Sequence, residues 1–71
     1  MEIIDLRSEY DKDVDAAYIY LEYPIKKGQV KETIELNENI AVDFDKDGKL
    51  IGIEILEASK HLNKKSIAQA T

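Results

Sequence analysis

The side chains with the most chemical potential in this 71-residue chain are its 15 carboxylates. The tightest set is Asp43-x-Asp45-x-Asp47-Gly48-x5-Glu54, which satisfies the EF-hand calcium-loop formula in spacing, glycine position and terminal glutamate. That loop works only with a helix on each side and with its twelfth residue curled back onto the ion. Here the flanks, Asn39 to Phe44 and Leu50 to Leu56, are β-branched and apolar, which suits strands. If Lys49 to Leu56 is extended, Glu54 lies roughly 20 Å beyond Gly48 at about 3.3 Å per residue, out of chelating reach. Metal binding then rests on Asp43, Asp45 and Asp47 alone as weak candidates, and neither a metal nor a cofactor is expected.

Other constellations dissolve in the same way. Asp11, Asp13 and Asp15 form a second acidic triple, but in a simple meander the first and fourth turns fall at opposite ends of the sheet, so the two triples stay apart. Asp43 and Glu54 would need to converge to act as an acid/base pair. Their separation of 11 residues puts them on opposite faces by simple alternation, unless the turn or a bulge resets the parity. His61 and Ser59 stand two apart on a helical segment and point in different directions. Tyr10, Tyr18, Tyr20 and Tyr23 lack the Arg/Lys-rich groove of a base-stacking surface, so they read as core or interface residues. No catalytic residue is expected, and the chain does not read as an enzyme.

The elements that would carry these residues are legible. Asn39 to Leu56 reads as a β-hairpin around Asp45-Lys46-Asp47-Gly48, where the Asp-Gly pair supplies the positive φ of a tight turn. Ile40, Val42 and Phe44 share one face, and so do Ile51, Ile53 and Ile55. Gly52 inside a strand marks a bulge or the close approach of another backbone. Before the hairpin, Glu2 to Tyr10, Ala16 to Tyr23 and Val30 to Leu36 read as strands, with Pro24 closing the second and Asn37-Glu38-Asn39 turning after the third. Residues 57–70 have helical character with a sparse stripe of Ala58, Leu62 and Ile67, compatible with two short pieces if Asn63 or Ser66 caps the second. The expected fold is α+β: a single domain over residues 1–71, with an antiparallel sheet of four to five mostly hairpin-connected strands over about 2–56 and a C-terminal helix over about 57–70.

Composition narrows the setting. A domain this small buries only about 60% of its unfolded surface, and with no Cys and one His it has neither disulfide nor zinc cage to help. Self-association is the remaining remedy. The net charge is −5, but residues 1–57 hold 15 acids against 7 bases, while residues 58–71 hold only Lys60, Lys64 and Lys65. An acidic body repels phosphate backbones, so no nucleic-acid partner is expected. No apolar run approaches the roughly 20 residues that span a bilayer, so no membrane partner is expected either. The reading is cytoplasmic. Tyr18 and Tyr20 oppose Ile19 and Leu21 across the second strand, so both its faces look apolar, and one helix can cover only one of them. A homodimer follows as the expected assembly.

Tyr10-Asp11, then Asp15-Ala16-Ala17-Tyr18-Ile19-Tyr20-Leu21, and then Val42-Asp43-Phe44-Asp45-x-Asp47-Gly48-x-Leu50-Ile51-Gly52-Ile53-Glu54-Ile55-Leu56-Glu57-Ala58-Ser59 resemble the small prokaryotic family catalogued as domain of unknown function 2283. The likeness runs to about Leu62 and departs at Ala17, where a larger aliphatic is expected. It implies a compact α+β domain of bacteria or archaea without assigned activity. Relatives set beside genes resembling ribonuclease toxins would imply an antitoxin-like role. The positions matching a functional surface would be Asp15, Tyr18, Asp43, Asp45, Gly52, Glu54 and Ser59. The resulting reading is an uncharacterised, non-enzymatic domain acting through protein contact, regulatory or antitoxin-like. The alternative is a small-ligand or divalent-metal module built on the acidic turns.

Overall fold

The computed structural model describes residue 2 and residues 6–68. Its elements are β1 (Arg7–Asp11), β2 (Ala16–Tyr20), β3 (Glu32–Glu35), β4 (Ile40–Phe44), β5 (Leu50–Leu56), α1 (Ala58–His61) and α2 (Lys64–Ala68). Each expected strand is present: β2 and β3 are shorter than the sequence implied, β5 spans Leu50–Leu56, and β1 runs one residue past Tyr10 to Asp11. Ile3 and Ile4 of the expected first strand, and residues 69 and 70 of the helical segment, lie outside the described residues. The C-terminal segment is two pieces, as its sparse apolar stripe implied. Leu62 is extended, and Asn63 then caps α2 by accepting the Ser66 amide on Oδ1 at 3.0 Å.

The strands form one antiparallel sheet in the order β1-β2-β5-β4-β3. This is not a simple meander. Strand β2 pairs with β5, and the chain crosses the end of the sheet through residues 21–31 before β3 begins, so β2 to β5 make a Greek key. The crossing is tied down where the Leu21 amide binds Ile51 O at 3.0 Å and the Lys31 amide binds Phe44 O at 2.8 Å. Burial explains the order. Strand β5 is the most apolar and takes the centre, while β3, with Glu at both ends and every residue exposed, takes an edge. The acidic turns still fall at opposite ends, because Ala16 lies beside Leu56 at the far end of β5 from the 45–48 turn.

Cross-strand partners share a face. One face carries Tyr10, Ala17, Ile19, Ile53 and Ile40 around buried Ile55, and α1 and Leu62 pack on it, with Ala58 fully enclosed. The departure at Ala17 belongs here: a small residue lies buried between Tyr10 and Ile55 in register. The helices do not cover the whole face. Towards β3, Ile34 remains 44% exposed and Leu36 63%, and beside the 45–48 turn Leu50 remains 42% exposed.

The opposite face corrects the expectation that β2 is apolar on both sides. Strand β2 stops at Tyr20, and its outward Tyr18 and Tyr20 are ringed by Glu9, Glu54 and Asp43 rather than by aliphatic residues. That face is polar.

Candidate functional site

The polar face is organised by one phenol. Tyr18 extends from β2 across Gly52 of β5, and its hydroxyl donates to Asp43 Oδ2 on β4 at 2.5 Å. From β3, Thr33 Oγ1 donates to the other carboxylate oxygen at 2.6 Å. Two side-chain hydrogen bonds thus link β2, β4 and β3, and the first of them passes over β5. Gly52 makes room for this: a Cβ there would stand 2.5 Å from Cζ and 2.6 Å from Cε1 of Tyr18. The sequence marked Gly52 for a bulge or a close backbone approach, and it serves twice. The pairing shifts between Asp43 and Phe44, leaving Ile51 without an opposite residue, and the group that approaches is an aromatic ring rather than a backbone.

This bulge also resets the parity between Asp43 and Glu54. Asp43 lies opposite Gly52, and Glu54 lies two residues further along the same strand, so both carboxylates share the tyrosine face. They do not form an acid/base couple, because Asp43 is held by two hydroxyl donors while Glu54 is exposed beside Tyr18. Burial, followed by the hydrogen bond and charge of Asp43, pushes the Tyr18 phenol far above its ordinary range. It stays neutral at working pH and acts as a donor.

Along the same strand Tyr20 donates to Glu9 Oε1 at 2.6 Å, which raises its pKa in turn. Tyr18, Tyr20 and Tyr23 form a row, with ring centres 4.8 and 5.0 Å apart, and Arg7 sits 4.2 Å above the last ring. An open groove of about 700 Å³ borders this row at the β1–β2 end, lined by Glu9, Asp11, Tyr18 and Glu54 among others.

Asp15 and Ser59 form a separate site at the end of the sheet. Asp15 holds a left-handed backbone (φ 52°), and from there its carbonyl accepts the Ala58 amide at 2.9 Å. Its carboxylate accepts Ser59 Oγ at 2.7 Å, the Ser59 amide at 3.0 Å and the Tyr10 hydroxyl at 2.8 Å. The Ser59 and Tyr10 bonds hold the Asp15 carboxyl below its usual range, and the Tyr10 phenol rises correspondingly. The turn between β1 and β2 is thereby latched to the start of α1. His61 meets Asn39 at 3.2 Å rather than Ser59.

Asp45 is committed to the backbone of its own turn. Asp45 Oδ1 accepts the amides of Asp47 and Lys49, both at 2.9 Å, and Gly48 takes φ 75°. Glu54 faces Ala41 and Tyr18 within β5, far from that turn. Among the described residues no group of three or more His, Cys, Asp or Glu is placed to hold a metal ion, and no helix is long and apolar enough to cross a membrane.

Of the residues singled out from sequence, Tyr18, Asp43, Gly52 and Glu54 come together, Asp15 and Ser59 form the second cluster, and Asp45 stands alone in its turn. Thr33, Glu9 and Tyr10 escaped notice as partners. Thr33 had a usable signal: the Asn37-Glu38-Asn39 turn pairs Leu36 with Ile40, and counting back places Thr33 opposite Asp43.

Two curated relatives match. An uncharacterized protein of Methanocaldococcus jannaschii is 38% identical over 58 residues, 82% of this chain and 46% of that protein. The uncharacterized protein YuzE of Bacillus subtilis is 37% identical over 54 residues, 75% of this chain and 42% of that protein. The chain therefore spans less than half the length of these relatives. No solved structure matches significantly. Residues 7–59, which hold the whole sheet, the tyrosine brace and the Asp15 latch, match the family described as Protein of unknown function (DUF2283), and the chain belongs to that family.

Proposed function

We propose that this domain is a non-catalytic contact module that works as a homodimer, with a regulatory or antitoxin-like role. The observation that carries the reading is the uncovered part of the helix-bearing face, where Ile34 and Leu36 towards β3 and Leu50 beside the 45–48 turn are exposed in a domain with a small core. Each is a large aliphatic side chain, and covering its exposed part is worth about 1 kcal/mol. Supporting it, the side chains with chemical potential are engaged with one another: Asp43 with Tyr18 and Thr33, Glu9 with Tyr20, Asp15 with Ser59 and Tyr10. The metal-binding alternative draws less support, because Asp45 spends its carboxylate on its own turn.

The test is mass by light scattering over a range of concentrations, together with co-purification at native expression level. The expected result is a dimer mass, a melting point that rises with concentration and a co-purifying protein partner. A monomer mass with a concentration-independent melting point overturns the self-association, and turnover of a substrate that depends on Asp43 or Glu54 overturns the non-catalytic reading.

A further inference from the structure

We infer that the cavity between the 21–31 crossing and the 45–48 turn binds a small molecule through a phosphate monoester. This goes beyond the contact reading above and does not depend on it. The cavity holds about 400 Å³, within the range of small-molecule sites, and four lysines line it: Lys26, Lys27, Lys31 and Lys46. Three come from the crossing and one from the turn, and the Lys31 amide on Phe44 O draws the end of the crossing against β4. The Greek-key route, not closeness in sequence, gathers them. They are four of only 10 basic residues in a chain with 15 acids.

A chain so rich in carboxylates has partners to offer these lysines. It does not supply them: among the described residues none of the four has an ion-pair partner, whereas Arg7 and Lys60 do. Two carboxylates also line the cavity, and both are engaged elsewhere. Glu22 accepts Gln29 Nε2 at 2.8 Å, and Asp45 holds the amides of its own turn. Four ammonium groups against these two carboxylates leave two positive charges. A phosphate monoester carries about −1.5 to −2 at pH 7 and matches them, and lysine is a common phosphate ligand. Acids on the far side of the body act weakly here, because charges more than about 8 Å away are largely screened at physiological salt.

The loop is held ready. The Gln29 amide binds Lys26 O at 3.0 Å, Gln29 Oε1 accepts the Lys26 amide at 2.9 Å, and Gly28 takes φ 81° within the turn they close. A Cβ on Gly28 would meet nothing within 4 Å, so the backbone there is open to an incoming group. The amides of Lys27, Gly28 and Lys46 have no acceptor among the described residues, and they add short-range donors to the ammonium charge.

The experiment is an amide NMR titration of the whole chain with inorganic phosphate and with phenyl phosphate, against sodium chloride of equal ionic strength. Both phosphates should give saturable shifts concentrated at residues 26–31 and 45–49, with phenyl phosphate binding at least as tightly, and chloride should not. Lys27→Gln combined with Lys46→Gln should weaken phosphate binding by about tenfold or more, while Lys12→Gln, outside the cavity, should leave it unchanged. All of these lysines are exposed, and unshifted core resonances verify that each variant is folded. Phosphate shifts that match those of chloride, or that persist in the double variant, would overturn the site. A phosphoserine peptide that binds more than about tenfold tighter than phenyl phosphate would overturn the small-molecule source and assign the cavity to a phosphorylated partner.

Discussion

Replacing Gly52 with Ala provides a sharp test of the tyrosine brace. Gly52 does not hold a positive φ, so alanine suits its backbone, and what opposes it is the Tyr18 ring 2.5 Å from the added carbon. The ring must leave. The Tyr18 hydroxyl bond to Asp43 and the contact with Tyr20 go with it, together with part of the ring's burial. A hydrogen bond to a charged group contributes about 1.5–3 kcal/mol when buried, which we halve for a half-exposed phenol, and an aromatic pair adds about 0.5–1.5 kcal/mol. Alanine itself returns about 0.5–1 kcal/mol over glycine in a strand. The net loss is about 2 kcal/mol, a melting-point fall of roughly 8–16 °C for a chain of this size. The assay is urea and thermal unfolding at one fixed protein concentration, repeated with Tyr18→Ala as background. There Gly52→Ala should be neutral or stabilising by about 0.5 kcal/mol, giving a coupling of about 2.5 kcal/mol in the double-mutant cycle. An equal loss in both backgrounds would refute the reasoning, since glycine would then be needed by the bulge rather than by the ring.

Ultraviolet titration should show one tyrosine ionising well after the others, and Tyr18→Phe should abolish that last step. Because the folded-state pKa of Tyr18 lies above the unfolded value of about 10, its contribution is complete below that pH and lost as pH rises beyond it. Asp15 has the opposite sign: its lowered folded-state pKa gives stability that is present above about pH 4 and lost as pH falls through the folded value, so Asp15→Asn should flatten the acid limb of the stability curve. Millimolar Ca²⁺ should leave the melting point unchanged, and an upward shift abolished by Asp45→Asn would reinstate the metal reading. Removing residues 64–71 takes Ile67 from the roughly 150 Å³ cavity it shares with Tyr10, Ile19 and Leu62; it should cost about 1 kcal/mol and leave unfolding cooperative, as urea curves will show.

The elements were legible because their signals are local. Pro24 ends a β-pattern, Asp45 to Gly48 carries its own turn chemistry, and the five-residue step from Leu62 to Ile67 turns Ile67 away from the helical face that Ala58 and Leu62 would share. Strand order was not legible, because alternation tells a strand which residues to bury and says nothing about which strand lies beside it. The pairing of Ala17 with Ile55 therefore left no trace in either segment. The error over the tyrosines has the same root. Tyr18 and Tyr20 look apolar until Asp43 and Glu9 are brought within reach of their hydroxyls, and only the Greek-key order puts Asp43 two strands from Tyr18 with nothing but Gly52 between.

That order also sets how the chain can assemble in time. The β3–β4 and β4–β5 hairpins, like β1–β2, join neighbours in sequence, and such hairpins form in about 1–10 μs. Strand β2 meets β5 only after the 21–31 crossing is spanned, which pairs Ala16 with Leu56 across forty residues. Two locally folded halves therefore wait on one long closure. The Tyr18 brace and the Asp15 latch both straddle that closure, one from the middle of β2 and one from the turn before it, and neither exists in either half alone. They hold the halves shut once they have met, which makes them determinants of how slowly this domain opens rather than of how fast it forms.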